Sequence, residues 1–409
     1  MTGIRVLFWC STIVVGYVYV GYPLLLRLWR RLRPRPNFSH HTSDFPLQTS
    51  GFPPEPGISI VIAARNEGGR LAARLDNLLS LDYPAGKRQI IVVSDGSTDD
   101  TLDVLARYGD RVEAVAIQPS GKALALNAGV ARATNDVIVF ADARQIFAAN
   151  ALRELVAPLA DPAIGAVTGE LLLDAESPCR RGGRDRRVID RRRTAREQAS
   201  DRRTEDRRRS VRSTIADGVG LYWKYEKHIR KSESAIDSTL GATGAIYAMR
   251  RSLYQPLPAD TVLDDVLTPM RVVLAGYRVV FNERARAFDR AASDADAEAR
   301  RKVRTLAGNY QILALEPRLL LPWRNRVWLQ YVSHKLGRLV VPYALLAMFA
   351  ANLAIAGTHI VYAASLAAHV ALYLLAGCGA VIEYRGRVAD AHVTAIGPAL
   401  RTTVPTEVA

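Results

Sequence analysis

The chain has 409 residues, a formal net charge of +15 and a mean hydropathy of +0.01. That length accommodates one large domain or two smaller ones. Its three cysteines, Cys10, Cys179 and Cys378, have no metal-ligand spacing; a disulfide-held scaffold and a structural zinc site are excluded from the reading. The near-neutral mean conceals an uneven distribution, because three stretches approach or exceed the ~20 apolar residues that cross a bilayer.

The first stretch, Ile4 to Leu26, is apolar apart from Arg5. It is longer than the apolar region of a secretory leader, and no small-residue cleavage site follows. Arg27, Arg30, Arg31, Arg33 and Arg35 come next, a cluster that reads as a cytoplasmic flank. Residues 1–28 are therefore expected to form an N-terminal membrane helix. Residues 29–56, rich in Pro, Ser, His and Thr and without a period, read as a linker.

From Gly57 the pattern alternates between strand and helix. Ile58 to Ala64 is an apolar run ending in Arg65-Asn66-Glu67. Gly69 to Leu81 places Leu71, Leu75, Leu78 and Leu79 on one helical face. Ile90 to Val93 runs into Ser94-Asp95-Gly96-Ser97-Thr98-Asp99-Asp100, and Thr101 to Tyr108 follows as a short helix. Val112 to Ile117 reads as a strand, Ala123 to Ala131 as a helix, and Val137 to Ala141 as a strand ending at Asp142. Such alternation predicts an α/β fold, a mostly parallel sheet flanked by helices. In open sheets of this kind ligands sit outside the carboxyl ends of the strands. Asp95 and Asp142 are thereby aimed at one crevice, where carboxylates suit ribose hydroxyls, a base edge or a divalent cation.

The alternation stops at residues 177–212. Fifteen arginines, interspersed with a few acids and almost no apolar residues, fill Cys179 to Arg212. Such a composition cannot bury enough surface to offset ordering, so the segment reads as a disordered insert. Globular patterning resumes at Ser213, and Gly220 to Ile229 reads as a helix. Asp264 and Asp265 precede the apolar helix Val266 to Leu274. Residues 306–338 form an interfacial amphipathic segment. Leu339 to Gly357 and Val361 to Ile382 are the second and third membrane stretches, within residues 339–383, and residues 384–409 are a tail. Arg324, Arg326, Lys335 and Arg338 precede the second span, the turn at Gly357 to Ile360 carries no Lys or Arg, and Arg385 and Arg387 follow the third. All three flanks give one orientation: N-terminus outside, the large domain and C-terminus in the cytosol, the protein integral to the plasma (inner) membrane.

Asp95-Gly96-Ser97-Thr98-Asp99-Asp100-Thr101 after a strand, Gly121-Lys122 opening a helix, Phe140-Ala141-Asp142, Gly241-Ala242-Thr243-Gly244-Ala245 and Leu263-Asp264-Asp265 together resemble glycosyltransferase family 2. The best match is to membrane-bound members with a GT-A fold, relatives of cellulose, hyaluronan and poly-N-acetylglucosamine synthases. The resemblance covers about Ile58 to Arg304, within a transferase domain set at residues 57–305. It implies an inverting transfer of a sugar from a nucleotide-diphosphate donor, a UDP-sugar foremost, to a lipid-linked or glycan acceptor at the membrane. It places Asp95 on the base or ribose and Glu67 in the same pocket. Lys122 and Arg304 fall on the diphosphate, Asp142 on Mg²⁺ or Mn²⁺, Asp265 as the catalytic base, and Asp264 beside it to orient the acceptor or hold Asp265.

Each residue also has a plainer reading. Asp95 is good turn chemistry and caps a helix; Glu67 is a loop glutamate; Lys122 is an exposed lysine; Asp264 and Asp265 favour a helix N-terminus. Two departures from the family pattern stand out. Arg144 occupies the place of a second metal carboxylate, and Thr305 that of the tryptophan in a Gln-x-x-Arg-Trp motif, where Arg304 matches the arginine. The competing reading is a nonenzymatic or degenerate transferase-like membrane protein whose arginine-rich insert binds anionic lipid or a partner. Nucleic acid is not expected, since that insert lacks interleaved aromatics.

Overall fold

The computed structural model describes residues 2–32, 55–174, 224–290 and 295–399. The arginine-rich insert and most of the linker lie outside these residues. The chain divides into two compact units, Tyr22–Leu339 and Met1–Gly21 with Val340–Ala409.

The larger unit is built on one eight-stranded sheet. Its strands are β1 (Ile58–Ala64), β2 (Arg88–Asp95), β3 (Glu113–Ile117), β4 (Val137–Asp142), β5 (Ile146–Phe147), β6 (Ile164–Asp174), β7 (Ile246–Arg250) and β8 (Arg278–Arg290). The helices of the whole chain are α1 (Thr2–Gly16), α2 (Tyr22–Leu32), α3 (Gly68–Leu79), α4 (Thr101–Ala106), α5 (Lys122–Arg132), α6 (Ala151–Val156), α7 (224–236), α8 (Asp264–Leu274), α9 (Ala295–Leu315), α10 (Trp328–Gln330), α11 (Gly337–Ile355) and α12 (Ile360–Ala399). The sheet order is β3-β2-β1-β4-β7-β6-β8-β5. β3, β2, β1 and β4 run parallel, β7 is antiparallel to both neighbours, and β6 and β8 are parallel. The α/β layering expected from the alternation is present, and the second half of the sheet adds antiparallel pairings.

The apolar runs are continuous because both sheet faces are covered. Ile58, Ile60 and Ile62 of β1 pack with Leu71, Leu75 and Leu78 of α3 in one core layer. Val61 packs with Leu126 of α5, Phe140 and Tyr247 in the other. Chain order reverses between β1 and β4: β2 and β3 extend the sheet to one side of β1, and β4 joins the other. That reversal opens a crevice at the carboxyl ends of β1 and β4.

A buried polar network joins α2, α7 and the π-helical turn Tyr331–Leu336. The Tyr22 hydroxyl donates to Glu233 Oε1 at 2.6 Å, and His334 Nδ1 lies 2.8 Å from the same oxygen. Glu226 is paired with Arg338 and lies 3.5 Å from His334 Nε2. Burial pushes the Glu226 carboxyl up, but His334 and the Arg338 guanidinium outweigh it and hold the group well below its ordinary 4.5. A depressed carboxylate contributes stability above its unfolded value and loses it as pH falls. Glu226→Gln is therefore expected to lower thermal stability in detergent at neutral pH by about 3 kcal/mol. The gap to wild type should narrow as the pH drops below 4.5. A gap independent of pH in melting curves would contradict this account.

In the smaller unit Phe8, Met348, Ala351, Ile355 and Tyr362 form a buried cluster. Phe8 meets Tyr362 edge-to-face at 5.0 Å. Three helical stretches, Thr2–Leu32, Trp328–Thr358 and Ile360–Val381, are long and apolar enough to cross a membrane. Only 17 %, 39 % and 11 % of their apolar windows are buried, so most of that apolar surface is exposed, far more than a water-facing surface usually carries.

Candidate active site

The loops after β1 and β2 are laced together at one edge of the crevice. Asn66, with φ of 56°, accepts the Thr98 N–H at 2.8 Å and donates its own N–H to Ser97 Oγ. The Glu67 N–H donates to Thr101 Oγ1 and the Gly68 N–H to Asp99 Oδ2, both at 3.0 Å. The hydrogen bond from the Thr101 hydroxyl holds the Asp99 carboxyl below its ordinary value.

Asp95 ends β2 with only 4 % of its surface exposed. Its carboxylate accepts the backbone N–H groups of Ser120 at 2.6 Å and of Gly121 at 3.0 Å. Gly121 adopts φ of +91°, a left-handed conformation that favours glycine. The aspartate thus fixes the turn from which Lys122 emerges as the first residue of α5. Arg65 lies 3.9 Å from the same carboxylate.

Lys122 Nζ sits 3.3 Å from Asp142 Oδ1 and 3.3 Å from Asp264 Oδ2. Three segments far apart in sequence therefore meet at one ammonium. Desolvation pushes that ammonium down, but Asp264, Asp142 and Asp265 outweigh it and hold it well above an ordinary lysine. Burial raises the Asp264 carboxyl, with Asp265 and Asp142 adding to the rise and Lys122 opposing it. Asp264 is 5 % exposed, whereas Asp142 is about one-third exposed.

Asp265 opens α8 together with Asp264, in the turn where the helix dipole favours negative charge. Its carbonyl accepts the Ala242 N–H at 2.7 Å and its Oδ2 the Gly244 N–H at 3.2 Å. A Cβ on Gly244 would lie 3.0 Å from Asp265 Oδ2, so glycine permits this close approach. The Gly241–Ala245 turn is in effect a cradle for Asp265.

Arg304 projects from α9 and donates from Nη2 to the Val262 carbonyl at 3.3 Å. Gln311, on the same helix, accepts the Val262 N–H and donates to the Asp260 carbonyl. α9 therefore pins the segment leading into Asp264 and Asp265. The Glu67 carboxylate lies 3.8 Å from Arg70 Nη1 at the edge formed by the β1 and β2 loops. Arg144 pairs at 2.9 Å with Asp289 of β8, which also accepts from Gln145.

Two residues here escaped the sequence reading. Arg74 of α3 is fully buried, stacked 4.0 Å over the Phe147 ring, with Nη1 donating to Asn77 Oδ1. Burial lowers its pKa to about 9, against an opposing pull from Asp142. Tyr247 stacks on Phe140 at 4.6 Å, and burial pushes its hydroxyl well up. Neither lies in a recognisable motif; both are detected only through space.

Among the described residues no group of three or more His, Cys, Asp or Glu side chains forms a metal cluster. Asp142 still fits a hard divalent cation. It supplies one partly exposed oxygen-donor carboxylate, and such ions take one or two carboxylates and complete their shell with phosphate oxygens and water.

Comparison with known proteins is consistent with this geometry. The family model described as "Glycosyl transferase family 2" matches residues 59–232. Poly-beta-1,6-N-acetyl-D-glucosamine synthase of Staphylococcus aureus is 32 % identical over 117 residues, 28 % of each chain. The Staphylococcus epidermidis protein of that name is 31 % identical over 117 residues, again 28 % of each chain. The chain thus matches little more than a quarter of the length of these curated relatives. Mannosyltransferase PcManGT from Pyrobaculum calidifontis, solved in complex with GDP-Man and Mn²⁺, superposes with a TM-score of 0.61 at 21 % identity, covering 91 % of this chain and 92 % of that one. At that identity the likeness establishes the fold, which is of the GT-A type. Residues 59–232, less than half of the chain, carry the likeness to glycosyl transferase family 2.

Proposed function

We propose that the protein is a membrane-bound inverting glycosyltransferase. It moves a sugar from a nucleotide-diphosphate donor, a UDP-sugar foremost, to a membrane-associated acceptor or a growing polysaccharide. The observation that carries this reading is the single ammonium, Lys122, lying between Asp142 and Asp264 with Asp265 next in the chain. Asp95 and Glu67 take the nucleoside end of the donor, and Lys122 and Arg304 the diphosphate. Asp142 would hold Mg²⁺ or Mn²⁺, which when bound neutralises charge on the diphosphate. Asp265 accepts the proton of the acceptor hydroxyl. The hydroxyl oxygen bonds to the anomeric carbon as the bond to the diphosphate breaks, and the configuration inverts. Asp264 holds Lys122 in place beside the departing group. The transferase domain occupies residues 57–305 on the cytosolic side of the plasma membrane, with the N-terminus outside.

The test is a panel of nucleotide sugars offered to the purified full chain, with and without Mg²⁺ or Mn²⁺, scoring nucleotide diphosphate release. Release from one donor class, lost in Asp265→Asn, is expected. Silence with every donor and cation would favour the nonenzymatic reading instead.

A further inference from the structure

The transfer step leaves two cations, Arg230 and Lys335, without employment. Arg230 of α7 donates from Nη1 to Thr243 Oγ1 at 2.9 Å. Thr243 precedes Gly244, whose N–H holds the Asp265 carboxylate. Lys335 comes from the π-helical turn Tyr331–Leu336 and interacts electrostatically with Arg230, Glu226, Asp265 and Arg338. It is half-buried and, among the described residues, has no ion-pair or hydrogen-bond partner. Glu226, the carboxylate on α7 near it, is already engaged by Arg338 and His334.

A partly desolvated ammonium without an acceptor is costly to keep. A π-turn is a local departure from α geometry that recurs at functional sites. Here it coincides with two cations from different elements gathered around the cradle of the proposed base. That arrangement matches a phosphate, which takes charge-assisted hydrogen bonds from both lysine and arginine. The donor diphosphate already has Lys122, so a second anion site serves the other substrate. Lys335 lies within the apolar stretch Trp328–Thr358. An anion reaching it from that side arrives attached to a lipid.

We infer that Arg230 and Lys335 form an acceptor subsite for a lipid-borne phosphate, seated beside Asp265. This deepens the transferase reading and rests on it. Two cations offset the phosphate charge, so that the acceptor approaches Asp265 without repulsion.

The experiment titrates the purified full chain, in neutral detergent and without donor, with dodecyl phosphate and separately with inorganic phosphate, read by calorimetry. Saturable binding of dodecyl phosphate is expected, weakened roughly ten- to hundredfold by Arg230→Gln or Lys335→Met. Lys335→Arg should retain it, and donor affinity of all three variants should match wild type, which reports their folding. Inorganic phosphate binding as tightly as dodecyl phosphate would overturn the lipid assignment. Unchanged affinity in both charge-removing variants, or no saturable binding, would overturn the subsite. Because this binding is read without turnover, a wild type that releases no nucleotide diphosphate sinks the transferase reading separately. Conversely, Asp265-dependent transfer that accepts a neutral lipid alcohol as readily as its phosphate sinks only the subsite.

Discussion

Asp265→Asn is expected to bind donor with close to wild-type affinity yet transfer sugar about 10²–10⁴-fold more slowly. The two readouts separate because Asp265 does not pair directly with Lys122, which bridges Asp142 and Asp264. Asparagine is nearly isosteric and keeps an oxygen for the Gly244 N–H, so the cradle survives. What disappears is the ability to accept a proton. The measurement is single-turnover transfer beside equilibrium binding of the nucleotide sugar. Transfer at the wild-type rate would remove Asp265 from its role and direct attention to Asp264.

Lys122→Met should have the second large effect, and on the opposite quantity. Removing the ammonium leaves Asp142 and Asp264 facing each other without a counter-charge. The proposed diphosphate site also turns net negative. A lost charge-assisted hydrogen bond is worth about 1.5–3 kcal/mol, a weakening of donor binding of roughly ten- to hundredfold. Lys122→Arg keeps the charge and should recover part of the affinity, although its planar fork cannot sit between two carboxylates as a compact ammonium does. Nucleotide-sugar binding by the two variants, with melting curves to confirm folding, checks the prediction. Equal donor affinity in wild type and Lys122→Met would show that the diphosphate lies elsewhere.

The parallel half of the sheet was legible because its strands are buried on both faces. Ile58 to Ala64 is apolar apart from Ser59, and β1 has those same limits. The helices α3 and α5 announced themselves through leucine spacing and the Gly121-Lys122 start. The second half was not legible. β8 carries Asn282, Glu283, Arg284 and Arg286 between small buried residues, Ala285 and Ala287, so its composition resembles a charged loop. β5 has only two residues and exists because β8 is there to receive it.

At the site, strand-end position and the family resemblance singled out Asp142, Asp264 and Lys122 but not their mutual contact, which is a property of the folded chain alone. Asp95 grips Ser120 and Gly121, so it holds the turn before α5 rather than capping α4, the helix that follows it in sequence. Arg144, the departure from the family pattern, is directed to Asp289, a partner on a strand that sequence did not suggest. Lys335 was counted only as a flanking charge, since nothing in the linear pattern links it electrostatically to Asp265.

The pairing of Ile146 with Phe288 has a consequence for the order of assembly. β1 to β4 come from one continuous stretch and can close early, at small loop-closure entropy. The short strand just after Arg144 must wait for a segment that lies beyond the whole arginine-rich insertion. The Asp142–Arg144 corner is therefore expected to acquire its final shape late in folding, and lengthening or shortening the insertion to alter how quickly the protein matures more than how stable it becomes.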